Sequence, residues 1–285
     1  MANLSAHGTH FIFDFDGTIT REDTCKLIAN VGVAHQRVLG NDFSRTWEDL
    51  TKPYDNERGE FIGKYFLEMP KTTAPLVFAF GVSRALKDVE LRSIDRINRS
   101  GLFAGISKEE WESAGKAAVL SGDVQIRKGF IGLVEQIERR NGVWGVISGS
   151  FSKDFIKGVL EQCLGKEIDI PILANSPDEN GFIRGPLFED TGVRTILVSG
   201  DTKLSAMRQL LKSWRFDETS QAVYYGDSDT DVECLFDTSV KGVMVGEDGS
   251  NRLRSLCKNL TGDLSVEAVP DFENIVIHPE ENMEL

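Results

Sequence analysis

Cysteine is scarce in this chain and never clustered. Cys25, Cys163, Cys234 and Cys257 are the only four among 285 residues. No pair has metal-ligand spacing, and thiols this scattered make no disulfide framework. They read as reduced, mostly buried side chains of a cytosolic protein. Histidine is equally sparse: His7, His10, His35 and His278 fit no ligand pattern and read as structural or exposed. Long apolar runs are missing too, and no stretch approaches the ~20 residues a membrane-spanning helix needs. The opening MANLSAHGTH lacks the basic flank and apolar run of a secretion signal. A cytoplasmic protein is the resulting expectation. Positive charge is outnumbered, with 32 Lys and Arg against 45 Asp and Glu and a formal net charge of -13. That balance speaks against a nucleic-acid partner, which needs a basic stripe, and against docking on anionic lipid. It leaves open a small anionic ligand, because only the charge of the pocket matters there.

What the chain does have is apolar mass. Apolar residues make up 40%, including 17 Phe and 4 Trp, enough for one large domain or two modest ones. Residues 11–15 read as a short buried strand. From Glu22 to about Gln125 the pattern turns helical, punctuated by Pro53, Pro70 and Pro75. From Ile126 onward strand and helix alternate. Phe130, Leu133, Val134 and Ile137 mark one amphipathic helix, VWGVI a buried parallel-type strand, and Phe151, Phe155 and Val159 another helix. The stretch IDIPILANSPDENGFIRGPLFE reads as two strands joined near Asn180-Gly181. Leu204, Met207, Leu210 and Leu211 share a helix face, AVYYGDSDTD is a strand running into an acidic loop, and VKGVMVG is a final strand.

Alternation of this kind gives an α/β fold: a Rossmann-like parallel sheet with helices on both faces. The helical block interrupts it straight after the first strand, as an inserted cap. The expected division is a core of 1–21 and 125–262, a cap of 22–124, and an acidic tail of 263–285 in which NIVIHP could add an edge strand.

Ligands in open α/β sheets bind beyond the carboxyl ends of the strands. The first strand ends at Asp14-Phe-Asp16-Gly17-Thr18, the second at Ser148-Gly149-Ser150, and the third at Gly226-Asp227-Ser228 with Asp231 close behind. A helical turn after Asp227 would put Asp227 and Asp231 on one face. Carboxylates gathered at one edge repel unless a cation joins them, and hard oxygens suit Mg²⁺. Ser148, the Gly149 N–H at a helix start, Thr18 and Lys203 would then cradle a phosphate. Lys153 is the fallback for Lys203, and Ser148 could cap a helix and bind phosphate at once.

These residues carry a resemblance. DFDGT at 14–18, ISGS at 147–150, Lys203 and GDSDTD at 226–231 fall in the order found in haloacid dehalogenase superfamily phosphatases. The helical insertion after DFDGTIT resembles the phosphoserine phosphatase-like branch of that family. The resemblance implies a Mg²⁺-dependent phosphomonoester hydrolase acting on a small phosphorylated metabolite, working as a monomer or homodimer. Asp14 would be the nucleophile that forms an aspartyl-phosphate, and Asp16 the general acid and then base. Mg²⁺ would sit on the Asp14 side chain, the Asp16 carbonyl and Asp227, with Asp231 holding a metal-bound water or pairing with Lys203. Gly17, Thr18, Ser148, Gly149 and Lys203 would form the phosphate site.

Asp23 stands nine positions after the nucleophile, where phosphoserine phosphatases carry a glutamate that reads the substrate amine. The shorter Asp23 and the longer cap depart from that pattern, and Asp23 could equally cap the helix that follows. Two other readings share the fold: a catalytically silent binding or regulatory protein, and a phosphotransferase using the same site. A dehalogenase would need neither Asp16 nor the metal-binding carboxylates.

Overall fold

The computed structural model describes residues 4–5, 9–70, 73–216, 220–246, 252–257 and 266–278. A short strand, β1 (Leu4–Ser5), precedes β2 (Thr9–Phe13), whose residues are all buried. The helical block follows as α1 (Cys25–Val38), α2 (Thr46–Glu68), α3 (Pro75–Ala85), α4 (Lys87–Ser100) and α5 (Lys108–Ser121). Alternation then sets in with α6 (Phe130–Arg139), β3 (Val143–Ser148), α7 (Lys153–Leu164) and β4 (Ile172–Ala174). Two small antiparallel hairpins come next: β5 (Ser176–Pro177) with β6 (Ile183–Arg184), and β7 (Leu187–Phe188) with β8 (Val193–Arg194). The chain continues through α8 (Gly200–Ser213), β9 (Gln221–Gly226), α9 (Val232–Leu235), β10 (Lys241–Val245), α10 (Arg252–Cys257), β11 (Glu267–Val269) and β12 (Ile277–His278).

The main sheet has six strands in the order β11-β10-β9-β2-β3-β4, and every neighbouring pair is parallel. Side chains of a strand alternate between faces, and the sequence obeys that period. Phe11 and Phe13 of β2, Val223 and Tyr225 of β9, and Val243 and Val245 of β10 enter one core cluster. The residues between them, Ile12, Tyr224 and Met244, enter the other. The α6 residues Phe130, Leu133, Val134 and Ile137 cover the first face; Met207, Leu210 and Leu211 of α8 cover the second. The result is the expected parallel sheet with helices on both faces and a helical cap inserted after the first core strand.

Several sequence expectations need revision. Pro53 does not end a helix but lies inside α2, while Pro75 opens α3. The 172–188 stretch holds a sheet strand, one complete hairpin and the first strand of another; the expected pair joined around Asn180-Gly181 is β5 with β6, each only two residues long. The tail from 263 is not all separate from the core. Within it, β11 pairs with β10 at the sheet edge, and Phe272 packs against Phe13, Phe130 and Tyr225 with ring centroids 5.8, 5.7 and 5.4 Å apart. The surrounding acidic residues hid this one aromatic anchor. The strand seen in NIVIHP is β12, which pairs with β1 and not with the main sheet. Residues 263–265 and 279–285 lie outside the described residues.

The helical block is not one body standing apart from the sheet. Helix α5 crosses core helix α7 at a Gly–Gly contact: a Cβ on Gly115 would lie 2.2 Å from the Phe155 carbonyl oxygen, and one on Gly158 would lie 2.0 Å from that of Glu112. Helix α3 buries Phe78, Ala79 and Val82 in the second core cluster. Helix α2 buries no residue fully. With α4 it forms the wall that faces the strand ends.

Candidate active site

The site starts where β2 runs out. Asp14 N–H still donates to the Tyr225 carbonyl at 2.8 Å, so the ladder holds the first aspartate in place. The chain then turns through Phe15–Ile19, which requires Gly17 at φ +82°. A side chain there would be strained, and its Cβ would fall 2.5 Å from an Asp227 carboxylate oxygen. Arg127 clamps the turn by donating to the carbonyls of Thr18 at 3.1 Å and Gly17, and to that of Pro270 at 3.1 Å.

Three buried carboxylates converge here from β2 and the loop after β9. Oxygens of Asp14, Asp227 and Asp231 all lie within 4.8 Å of one another. Lys203, in the first turn of α8 and 2% exposed, reaches Asp14 Oδ1 at 2.9 Å and Asp231 Oδ1 at 2.7 Å. Asp231 is the better supported of the two. Its Oδ1 also accepts from Tyr224 OH at 2.8 Å, and its Oδ2 accepts from the backbone N–H groups of Asp227 and Ser228 and from Ser228 Oγ at 3.2, 3.0 and 2.7 Å. Burial pushes Asp231 up, but Lys203, Ser228 and Tyr224 together hold it below the usual carboxylate value. Asp14 goes the other way. Burial and the neighbouring Asp231 raise it to about 7 against the pull of Lys203. The same two anions lift Lys203 well above its ordinary value despite its burial.

Asp16 sits two residues on and faces the same cleft. Its Oδ1 accepts from Thr24 N–H at 2.8 Å and Thr24 Oγ1 at 2.7 Å. Burial, then the nearby Asp23, raises it to about 7, with Thr24 opposing. A carboxyl group at that value exchanges a proton readily near neutral pH.

The remaining expected residues are placed as follows. Ser148 and Gly149 end β3 and line the cleft, with Ser148 Oγ accepting from Ser150 N–H at 3.0 Å. Thr18 is fully buried, and its hydroxyl donates to Asp227 Oδ1 at 3.2 Å; it orients a carboxylate rather than opening onto the cleft. Asp231 has both oxygens engaged, as the anchor of Lys203 rather than an open ligand. Lys153 is exposed, whereas Lys203 is the lysine that reaches Asp14 and Asp231. Asp23 Oδ1 accepts from Cys25 N–H at 2.7 Å in the turn that leads into α1, whose N-cap is Thr24, and the residue also lines the cleft. His10 stacks on Trp214 at 5.2 Å and His35 lies 3.1 Å from Glu110; His7 is outside the described residues. None of the four cysteines is in a disulfide.

Sequence reasoning missed several participants. Asn175, fully buried, ties the Ser148 loop to the α8 approach: its Nδ2 donates to the Gly149 and Leu197 carbonyls at 3.0 and 3.1 Å, and its Oδ1 accepts from Leu197 N–H at 2.8 Å. Ser150, already placed at this edge by the second strand end, is 2% exposed, lines the cleft, and its Oγ has no hydrogen-bond partner among the described residues. Arg58, Glu90 and Tyr54 come from the cap and Asp229 from the loop after β9. Arg58 lies 3.9 Å from Glu90 and 3.4 Å from Asp229, and Tyr54 OH donates to Glu90 Oε1 at 2.8 Å. The cleft enclosed between strand ends and cap has a volume of about 980 Å³.

A parallel sheet with carboxylates gathered beyond its strand ends, roofed by an inserted helical cap, defines a capped α/β protein whose site lies at the carboxyl edge of the sheet. The chain belongs to the haloacid dehalogenase-like hydrolase family, whose model matches residues 11–235. It is 23% identical to the bifunctional TH2 protein of Arabidopsis thaliana, over 92% of this chain and 42% of that protein. The chain therefore spans less than half the length of that relative. The plant protein is mitochondrial by name, which lends the cytoplasmic expectation no support. A CTO1 family protein of Schizosaccharomyces pombe is 24% identical over 79% of this chain and 77% of its own length. Among solved structures, a phosphoserine phosphohydrolase-like protein from Francisella tularensis shares the fold at TM-score 0.53 and 16% identity, covering 92% of this chain and 95% of that one. A HAD family hydrolase from Salmonella enterica serovar Typhi does so at TM-score 0.51 and 14% identity, covering 95% and 70%. No helix among the described residues is long and apolar enough to cross a membrane.

Proposed function

We propose that the protein is a Mg²⁺-dependent phosphomonoester hydrolase that works through an aspartyl-phosphate on Asp14. One observation carries the reading: Asp14 shares Lys203 with Asp231, lies beside Asp227, and has Asp16 two residues away at about 7. Three buried carboxylates around one ammonium leave the site short of positive charge; Asp14 is raised to about 7 first by its burial and then by Asp231. A hard cation fits it. Asp14, Asp227 and the Asp16 carbonyl would hold Mg²⁺, which would screen the repulsion between a carboxylate nucleophile and an anionic substrate.

The chain's own residues account for the rest. The Asp14 carboxylate attacks phosphorus as the bond to the alcohol oxygen breaks. Asp16, protonated, gives its proton to that departing oxygen. Now a carboxylate, it takes a proton from water, whose oxygen attacks the phosphorus; the Asp14–phosphorus bond breaks and inorganic phosphate leaves. Lys203, Ser148 and the Gly149 N–H bear the charge on the transferring oxygens.

The test is phosphate release from a panel of phosphate esters, with Mg²⁺ and with EDTA. Asp14→Asn is expected to lower turnover by about 10³-fold or more, as loss of a nucleophile does. Release that persists in EDTA, or in that variant, would overturn the proposal.

A further inference from the structure

The far end of the cleft is chemically unlike its floor. It is built from α2 and α4 of the cap, from the start of α1, and from the loop after β9. Its apolar part is broad: Trp47, Leu50, Ile94 and Ile97 face it, with Phe151 from below. Trp47 and Phe151 meet edge to face, centroids 6.3 Å apart at 70°, which holds both rings in place. Tyr54 is fixed by its hydrogen bond to Glu90 at 2.8 Å.

The charged part is one-sided. Asp23, Asp55, Glu90 and Asp229 all line the cleft. Beyond Lys203, Arg58 is the cation among the described lining residues, and it is engaged with Glu90 and Asp229 at 3.9 and 3.4 Å. A carboxylate or second phosphate on the leaving group would meet this acidic surface. To be bound, it would have to compete with Glu90 and the buried Asp229 for Arg58. A cation gains from the same surface and from the faces of the aromatic rings. Independently, Ser150 Oγ is buried beside the cleft without a partner among the described residues, a hydroxyl that a ligand in the cleft would complete.

We infer that this wall selects phosphate esters whose alcohol carries a positive charge on a flat apolar body, and disfavours esters whose alcohol carries a carboxylate. The inference rests on the phosphatase reading of the floor and adds the class of leaving group to it.

Three matched ligands isolate the charge: 2-phenylethylphosphonate, and the same compound with a 4-aminomethyl or a 4-carboxyl group on the ring. They cannot be hydrolysed, so binding to the Mg²⁺-loaded wild-type chain by titration calorimetry reads the wall alone. The aminomethyl compound should bind about tenfold or more tighter than the carboxyl compound, the size expected of partly desolvated charge contacts. Equal affinities, the reverse order, or no binding of the aminomethyl compound would overturn the inference. The paired Asp55→Asn and Glu90→Gln variant should narrow the ratio, and an unchanged ratio would also overturn it. The exposed Asp55→Asn alone serves if the double variant does not fold. Turnover of the matched benzyl phosphates is read in parallel. Turnover with the wrong binding order sinks this inference but not the phosphatase reading, and the right order without turnover does the opposite.

Discussion

The floor of the cleft and its wall solve the problem of buried charge differently. On the floor, anions outnumber cations, and the excess is concentrated within 4.8 Å. Two of its carboxylates are held by backbone at the strand ends: Asp14 by the ladder to Tyr225, and Asp231 by two N–H groups of the loop after β9. On the wall, charges are spread over two helices and one loop and meet through long side chains, Arg58 to Glu90 and Asp229. A rigid floor suits bond making, which needs atoms placed to a fraction of an ångström. A wall of adjustable side chains suits recognition, where replacing a few residues changes what fits.

After loss of the Asp14 nucleophile, the largest effect should follow from removing Lys203, the cation that the floor carboxylates share. Lys203→Met is expected to cut turnover by ~10²–10³, the loss typical of one charge-stabilising donor. It also leaves Asp14 and Asp231 buried without their shared partner, so stability should fall by about 3–5 kcal/mol. Turnover against denaturation midpoint separates the two effects. A variant within a few-fold of wild type would mean that the floor does not depend on Lys203.

The next effect probes what supports the floor from beneath. Phe272 is 1% exposed and packs against Phe13, one residue before Asp14. Phe272→Ala should cost about 3–5 kcal/mol, the usual range for a buried aromatic. A loss below about 1 kcal/mol by urea unfolding would show that the segment after β11 is only loosely attached.

The same contrast explains what could be read from the amino acids alone. Floor residues sit at the ends of strands that alternate cleanly, so Asp14, Ser148 and Asp227 could be assigned to one edge before any coordinates. Lys203 was harder, since one lysine at a helix start carries little signal; its role emerges from the 2.9 and 2.7 Å contacts to Asp14 and Asp231. A hydroxyl in the turn after β2 suggests a phosphate donor, yet Thr18 is fully buried and donates to Asp227 instead. The wall was illegible. Arg58, Glu90 and Asp229 are separated by long stretches of chain, and helix periodicity says which face is apolar, not which partner that face will meet. Phe272 was hidden for a related reason: a single aromatic in an acidic stretch has no period to betray its burial.

The smallest effect, and the most specific to the wall, concerns Glu90. Burial raises its carboxyl from 4.5 to about 7, against the hydrogen bond from Tyr54 and the charge of Arg58. An acid whose folded value lies above its unfolded one binds its proton more tightly in the folded chain. Its contribution to stability is therefore best below about 4.5 and declines as pH rises to about 7, beyond which the cost of holding the charge stays constant. Glu90→Gln keeps an acceptor for Tyr54 and cannot ionise. It gives up the 3.9 Å contact with Arg58, but the net upward shift shows that burial outweighs that contact. The variant should thus be more stable than wild type at pH 8, by roughly 1–3 kcal/mol, with the gap closing toward pH 4.5. Thermal midpoints of both chains across that range decide it. A wild type that is the more stable at pH 8 would mean that Arg58 holds Glu90 as a settled ion pair, and the wall would then resemble the floor more than it differs from it.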